Sequence, residues 1–142
     1  MDVAEVRRRV RSAIDAARRR GHERRLRSDQ AAREYEVFLR DRAVPLFHTF
    51  ASALVAEGHR FKVFTPAGTV RLALESSAED YIELALDTSL DPPAVVGTTS
   101  RGRGRRQIAS ERPLKDAVTV AELTEEDVLA FLIEEITPFL ER

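Results

Sequence analysis

Arginine is the residue whose placement in this chain most strongly suggests binding chemistry. The tract from Ser100 to Arg106 holds two glycines and four arginines, namely Arg101, Arg103, Arg105 and Arg106. Guanidinium groups present forked donors that suit phosphate and carboxylate oxygens, and glycines let the backbone approach an anion closely. The tract is therefore predicted to be either an anion- or nucleic-acid-binding hairpin tip or a solvated turn without a ligand.

A second supply of thirteen arginines lies between positions 7 and 42. Those on the polar face of a predicted helical arm are candidate contacts to a polyanion or to an acidic protein surface, chiefly Arg18, Arg19, Arg24 and Arg25. The alternative is the solvated outer face of a coiled coil. A membrane-surface helix is disfavoured, because the apolar face of the arm has no Trp or Phe and its one large residue is Ile14.

Arginine outnumbers lysine 21 to 2 along the whole chain. Such a bias is typical of high-GC bacterial coding, so the number of arginines alone argues little. Their distribution says more: residues 1–62 carry a net charge of +6, residues 63–142 carry −7, and residues 110–142 alone carry −6. We expect the basic and acidic parts to attract each other, within a subunit or between subunits. The acids expected to oppose the arm are Glu122, Glu125, Glu126 and Asp127.

Residue types that commonly carry catalysis or bind metals form no recognisable constellation. The three histidines lack ligand spacing; we expect His48 to be a partly buried, hydrogen-bonded helix residue and His22 and His59 to be exposed. The acids between Glu79 and Asp87 are predicted to lie on the solvated face of a strand. There is no cysteine, no nucleophile elbow and no phosphate-binding glycine motif. We therefore expect a protein that is not an enzyme and that has no catalytic residue, no metal site and no cofactor.

The first half of the chain is predicted to be helical. Small and medium apolar residues recur at steps of three and four, which predicts a narrow seam for self-association on residues Val3, Val6, Val10 and Ile14. Gly21 favours a break or loosening in this helix, so either a second helix starts near Ser28 or Asp29 or one arm runs through with a weak point. A stronger helix is predicted over residues 30–57, with Pro45 either kinking it or starting a new one. The predicted core is centred on apolar residues of this helix, the sheet and the last helix, namely Phe47, Phe50, Leu54, Leu72, Leu84, Phe131, Leu132 and Ile136. We divide the chain into a basic helical arm (residues 1–28) and an α+β domain (residues 29–142).

The second half switches to alternation with a period of two. Alternating apolar residues predict strands near 61–65, 70–74 and 82–86, a turn at 76–79, and further strands at 94–99 and 105–109. Thr124 opens a final helix with a capping-box pattern, and its apolar face is predicted to include Val128, Phe131, Ile136 and Leu140. The fold class is α+β: long N-terminal helices, an antiparallel sheet of four or five strands, and a C-terminal helix packed on the sheet.

Function is predicted only at the level of class. The leading hypothesis is a non-enzymatic bacterial interaction or assembly protein that self-associates, or binds a protein partner, through the arm. The alternative is binding of nucleic acid or another polyanion through the arm and the Arg101–Arg106 loop. No apolar core follows Met1–Glu5 as in a secretory signal, and no apolar run is long enough for a bilayer. We therefore expect a cytoplasmic protein without membrane contact.

Overall fold

The computed structural model describes residues 1–116 and 118–141 and confirms the α+β fold class. A long N-terminal helical segment is followed by a five-stranded antiparallel sheet and a C-terminal helix that packs on that sheet. No helix in these two ranges combines the length and the apolar character needed to cross a bilayer.

Helix α1 runs without interruption over Val3–Phe38. Its N-terminus is capped by Asp2, whose Oδ1 accepts a hydrogen bond from the Glu5 amide at 2.7 Å. The predicted break at Gly21 is wrong. A single glycine costs a helix about 1 kcal/mol relative to alanine, and the neighbouring Arg, Glu and Ala residues are strong helix formers. The predicted boundary at residue 28 therefore falls inside one helix.

A π-helical turn, Leu39–Ala43, connects α1 to helix α2, Val44–Ala56. Pro45 lies in the first turn of α2, which agrees with the predicted alternative that a new helix starts there. A proline inside an α-helix removes a hydrogen bond and pushes its ring against the carbonyl four residues earlier. The wider π turn immediately before Pro45, in which the Val44 amide bonds to the Leu39 carbonyl, accommodates that ring without ending the helical path.

The sheet has the strand order β1-β2-β3-β4-β5, so every strand pairs with its neighbours in sequence. The strands are β1 (Phe61–Phe64), β2 (Thr69–Leu74), β3 (Ser77–Asp87), β4 (Ala94–Arg103) and β5 (Arg106–Pro113). The turn predicted at 76–79 is misplaced. It occupies only residues 75–76, because a bulge at Ala73/Leu74 shifts the register and lets β3 begin at Ser77.

Helix α3, Glu125–Leu140, lies with α2 on one face of the sheet, as predicted. Between them is a core whose predicted members are all buried: Phe47, Phe50, Leu54, Leu72, Leu84, Phe131, Leu132 and Ile136. Leu140 was expected on this face but is 38% exposed. The reason is angular, since Leu140 lies about 100° round the helix axis from the buried Phe139.

Close packing of α3 on the sheet depends on Gly97 in the middle of β4. A Cβ atom at this position would lie within 2.6 Å of three atoms of the Phe131 ring. The Arg112 guanidinium lies over a face of the same ring, 4.7 Å from the ring centroid. The absence of a side chain at residue 97 therefore lets α3 approach the sheet.

Candidate interaction surfaces

Within residues 1–116 and 118–141, helix α1 is anchored to the domain through its C-terminal part. The Tyr35 hydroxyl donates to the Gly68 carbonyl at 2.7 Å, and Arg27 pairs with Asp91 at 3.2 Å. Burial raises the pKa of Tyr35 above its ordinary value, and the nearby Glu83 carboxylate adds to this shift, so the hydroxyl stays protonated and remains a donor. Ala31, Tyr35 and Phe38 are the buried residues of α1.

Most of the predicted arm extends away from these anchors. From here on, "the arm" means residues 3–25 of α1. Among the described residues, its side chains make hydrogen bonds and ion pairs only within the helix itself, from Arg8 and Arg9 to Glu5. At 1.5 Å per residue the arm is about 35 Å long. It is therefore a projecting helix rather than a layer of the domain.

The four residues predicted as an association seam all lie on the arm and are all exposed. The exposed fractions are 83% for Val3, 44% for Val6, 50% for Val10 and 45% for Ile14. Their steps of three and four place them along one side of the continuous helix. The structure thus brings the four residues together as one apolar stripe, which we call the arm seam.

The candidate arginines of the arm are also exposed. Arg18, Arg19, Arg24 and Arg25 make no hydrogen bond or ion pair with any part of the chain that the structure describes. Arg7 and Arg11 are four residues apart on the helix, as are Arg20 and Arg24, and like charges at this spacing repel each other. The arm therefore presents an apolar stripe flanked by unneutralised guanidinium groups.

The Arg101–Arg106 tract forms the tip of the β4–β5 hairpin. Residues 104–105 make a two-residue turn, and Gly104 has φ 60°, the left-handed conformation that such a turn requires. Arg103 and Arg106 face each other directly across the hairpin. Arg103, Arg105 and Arg106 are exposed, whereas Arg101 is half-buried beside its cross-strand neighbour Ile108.

The structure does not place the two groups of arginines next to each other at their points of attachment. The anchor of α1 at Asp91 lies in the loop before β4, and the hairpin tip lies after the other end of β4. Ten residues of β-strand separate these two ends, which corresponds to about 33 Å. A polyanion held by both groups would have to span the length of the sheet.

The four acids expected to oppose the arm divide into two pairs. Glu122 and Asp127 belong to capping boxes, in which each carboxylate accepts a hydrogen bond from a backbone amide, that of Thr119 at 3.2 Å and that of Thr124 at 2.9 Å. These hydrogen bonds hold the pKa of both carboxyl groups below their usual values, and Lys115 contributes further. Glu125 and Glu126 are exposed and make no hydrogen bond or ion pair within the described chain.

The other polar residues considered from the sequence have local structural partners. The expectation of a solvated strand face is wrong for Asp80, which is 3% exposed, because successive residues of a strand point to opposite faces of the sheet. The Gly102 amide donates to Asp80, Arg71 pairs with Glu83 across β2 and β3, and the Ser89 amide donates to Asp87. The expectation for His48 is wrong: this residue is exposed, because it lies about 100° round α2 from the buried Phe47. No group of three or more side chains suited to holding a metal ion occurs within residues 1–116 and 118–141.

One surface was missed from the sequence, the outer side of α3. Its exposed residues recur at steps of four and three, namely Glu126, Ala130, Ile133, Thr137 and Leu140. Ile133 is 55% exposed and Leu140 38%. The spacing was visible in the sequence, but the apolar residues of the inner side, five of which are buried, already accounted for the burial of the helix and hid this second stripe.

The chain matches no protein-family model, no curated protein and no solved structure. Its function therefore has to be inferred from these surfaces.

Proposed function

We propose that this chain is a non-enzymatic interaction and assembly protein of the bacterial cytoplasm, which self-associates or binds a partner protein through the arm seam. The observation that carries the proposal is the exposure of an apolar stripe on a helix that projects from its domain. Three valines and an isoleucine, between 44% and 83% exposed, lie on one side of about three turns of this helix.

The physical argument is that the arm is not stable on its own. An isolated helix of about 20 residues is marginal in water even with favourable residues. This arm also contains Gly21, and it places like charges four residues apart at Arg7 and Arg11 and at Arg20 and Arg24; both features lower helix stability. A second helix packed on the arm seam would bury the four apolar side chains and stabilise the helical state.

Sedimentation velocity over a concentration series tests the proposal. We expect the wild-type chain to associate as concentration rises. Val10→Arg, which places a charge in the middle of the arm seam, should keep the protein monomeric. The matched control is Val55→Arg on α2, since Val55 is 49% exposed and Val10 is 50% exposed. The control should associate like the wild type.

Circular dichroism of both variants shows whether the α+β domain remains folded. A wild-type chain that is monomeric at every concentration contradicts self-association. A Val10→Arg variant that associates as well as Val55→Arg shows that contacts outside the arm seam form the assembly.

A second candidate function is polyanion binding by the hairpin tip, and one observation favours it. Arg103 and Arg106 lie directly opposite each other in the hairpin, and like charges at such positions are destabilising. A bound phosphate or carboxylate would neutralise them. Titration with duplex DNA and with RNA at two salt concentrations tests this, using wild type and a variant in which serine replaces Arg101, Arg103, Arg105 and Arg106.

Binding through the tip should weaken steeply with salt and disappear in the serine variant, while thermal stability changes by less than ~0.5 kcal/mol. Equal binding by both proteins would exclude the tip as the site.

A further inference from the structure

We infer that the outer stripe of α3 receives the arm of a second copy of this chain. We define the α3 stripe as Glu126, Ala130, Ile133, Thr137 and Leu140. This inference rests on the proposed function and names the surface on which the arm seam packs.

The spacing of the two stripes is complementary. The α3 stripe advances by four, three, four and three residues. On the arm, the positions Val3, Val6, Val10, Ala13 and Ala17 advance by three, four, three and four, and the arm-seam residue Ile14 lies next to Ala13. This alternation keeps side chains aligned along the contact line of two helices. The arm seam from Val3 to Ile14 is about 17 Å long, and the α3 stripe is about 21 Å long. The α3 stripe is therefore long enough to cover the whole arm seam.

The net charges of the helices indicate which of them packs on the α3 stripe. Helix α3 carries five acidic residues and no basic one. Residues 1–28 carry ten basic and four acidic side chains, a net charge of +6. Pairing two arms with each other would place +6 against +6, whereas pairing an arm with α3 places it against an acidic helix. On α3, Glu125 and Glu126 are exposed and have no partner in the described chain, so both are accessible to arginine, whereas Glu134 already pairs with Arg112 at 3.2 Å.

The arm that reaches α3 must come from another copy. Helix α1 is continuous from Val3 to Phe38 and is fixed to its own domain by Arg27 and Tyr35. A continuous helix cannot turn back toward α3 of the same chain. Reciprocal exchange of arms between two copies would give a closed two-fold dimer in which each arm seam and each α3 stripe is covered once.

Disulfide crosslinking of the full chain tests the inference, and it is straightforward because the natural sequence contains no cysteine. One protein carries Val6→Cys, Val10→Cys or Ile14→Cys, the second carries Ile133→Cys, and the two are mixed under mild oxidation. Three arm positions are used because a disulfide forms only when the two Cα atoms lie about 5.5 Å apart. At least one arm position should give a mixed disulfide with residue 133.

The matched negative control is Val55→Cys mixed with the same Ile133→Cys protein, since Val55 and Val10 are equally exposed valines on helices. It should give no disulfide above background. Sedimentation provides a second readout: Ile133→Arg should weaken association roughly tenfold or more. Replacing Glu125 and Glu126 together with glutamine should make association less dependent on salt.

The outcomes separate this inference from the proposed function. Arm-to-arm disulfides in the single-cysteine arm variants, with none to residue 133, overturn the inference while the arm remains the assembly element. If Val10→Arg abolishes association but Ile133→Arg leaves it unchanged, the inference is likewise overturned while the arm remains the assembly element. A chain that stays monomeric and forms no disulfide overturns both.

Discussion

The two halves of helix α1 have the same backbone conformation and opposite surroundings. The C-terminal part contributes Ala31, Tyr35 and Phe38 to the core, and the N-terminal part, the arm, exposes every large apolar residue it has. The comparison shows that helical periodicity in a sequence predicts conformation but does not predict what covers the apolar side. In the first half no part of the chain that the structure describes covers that side.

The largest difference between the halves should appear when one aromatic residue of the anchored half is removed. Phe38 is 2% exposed, so Phe38→Ala should lower the free energy of unfolding by about 3–5 kcal/mol, through lost burial and the cavity left behind. Val10→Ala should leave the unfolding free energy of the dilute protein nearly unchanged. Urea denaturation at low protein concentration measures both, and similar losses would mean that the arm folds against its own domain.

Two glycines sharpen the comparison, because the same substitution should have opposite effects in the domain and in the arm. Gly97→Ala forces a Cβ atom into the Phe131 ring and should cost about 1–3 kcal/mol. Thermal denaturation measures this cost. The loss should be smaller when Gly97→Ala is combined with Phe131→Leu, and strictly additive effects of the two substitutions would contradict the packing described for Gly97.

Gly21→Ala should instead stabilise the arm. A Cβ atom at Gly21 would meet only the Arg25 Nη1 atom at 3.6 Å, an ordinary contact distance. Alanine is favoured over glycine in a helix by up to about 1 kcal/mol. We expect more helical signal in circular dichroism of the dilute protein and tighter association. A loss of helical signal would show that a bend at Gly21 matters to the protein in solution.

The smallest expected effect concerns pH and the domain rather than the arm. The pKa of Asp127 is lowered by the hydrogen bond that its carboxylate accepts from the Thr124 amide. This carboxylate therefore stabilises the folded state at pH values above its unfolded pKa of 3.8. That stabilisation is lost as pH falls through the lower folded value. Asp127→Asn should therefore reduce the acid sensitivity of unfolding below about pH 4, measured by thermal melts. The acid sensitivity of arm association should not change, because Asp127 faces Thr124 and Lys115 rather than the α3 stripe.

The fold could be predicted from the sequence wherever one strong periodicity applied. Alternation in β2 and β3 and the helical spacing of Phe47, Phe50 and Leu54 identified the core, because burial on one side imposes a period. Gly21 misled because its small local cost is exceeded by the helix formers around it. The burial of His48 was predicted wrongly because the residue type alone does not show which side of a helix a residue occupies.

The surfaces could be predicted only in part. The arm seam and the arginine hairpin were recognised from local patterns. The separation of the two arginine groups depends on which end of β4 holds each of them, and that is a property of the assembled sheet. The α3 stripe was missed because it consists of one isoleucine and one leucine among small and acidic residues, and its meaning depends on which side of α3 faces the sheet.

Hydrogen exchange of the full-length wild-type protein, measured above and below its association midpoint, tests most directly whether the arm is held by assembly. We predict that amides of residues 3–25 are protected in the concentrated protein and exchange rapidly after dilution, while amides of residues 31–38 stay protected at both concentrations. Arm amides that are equally protected at both concentrations, or unprotected at both, would contradict the account.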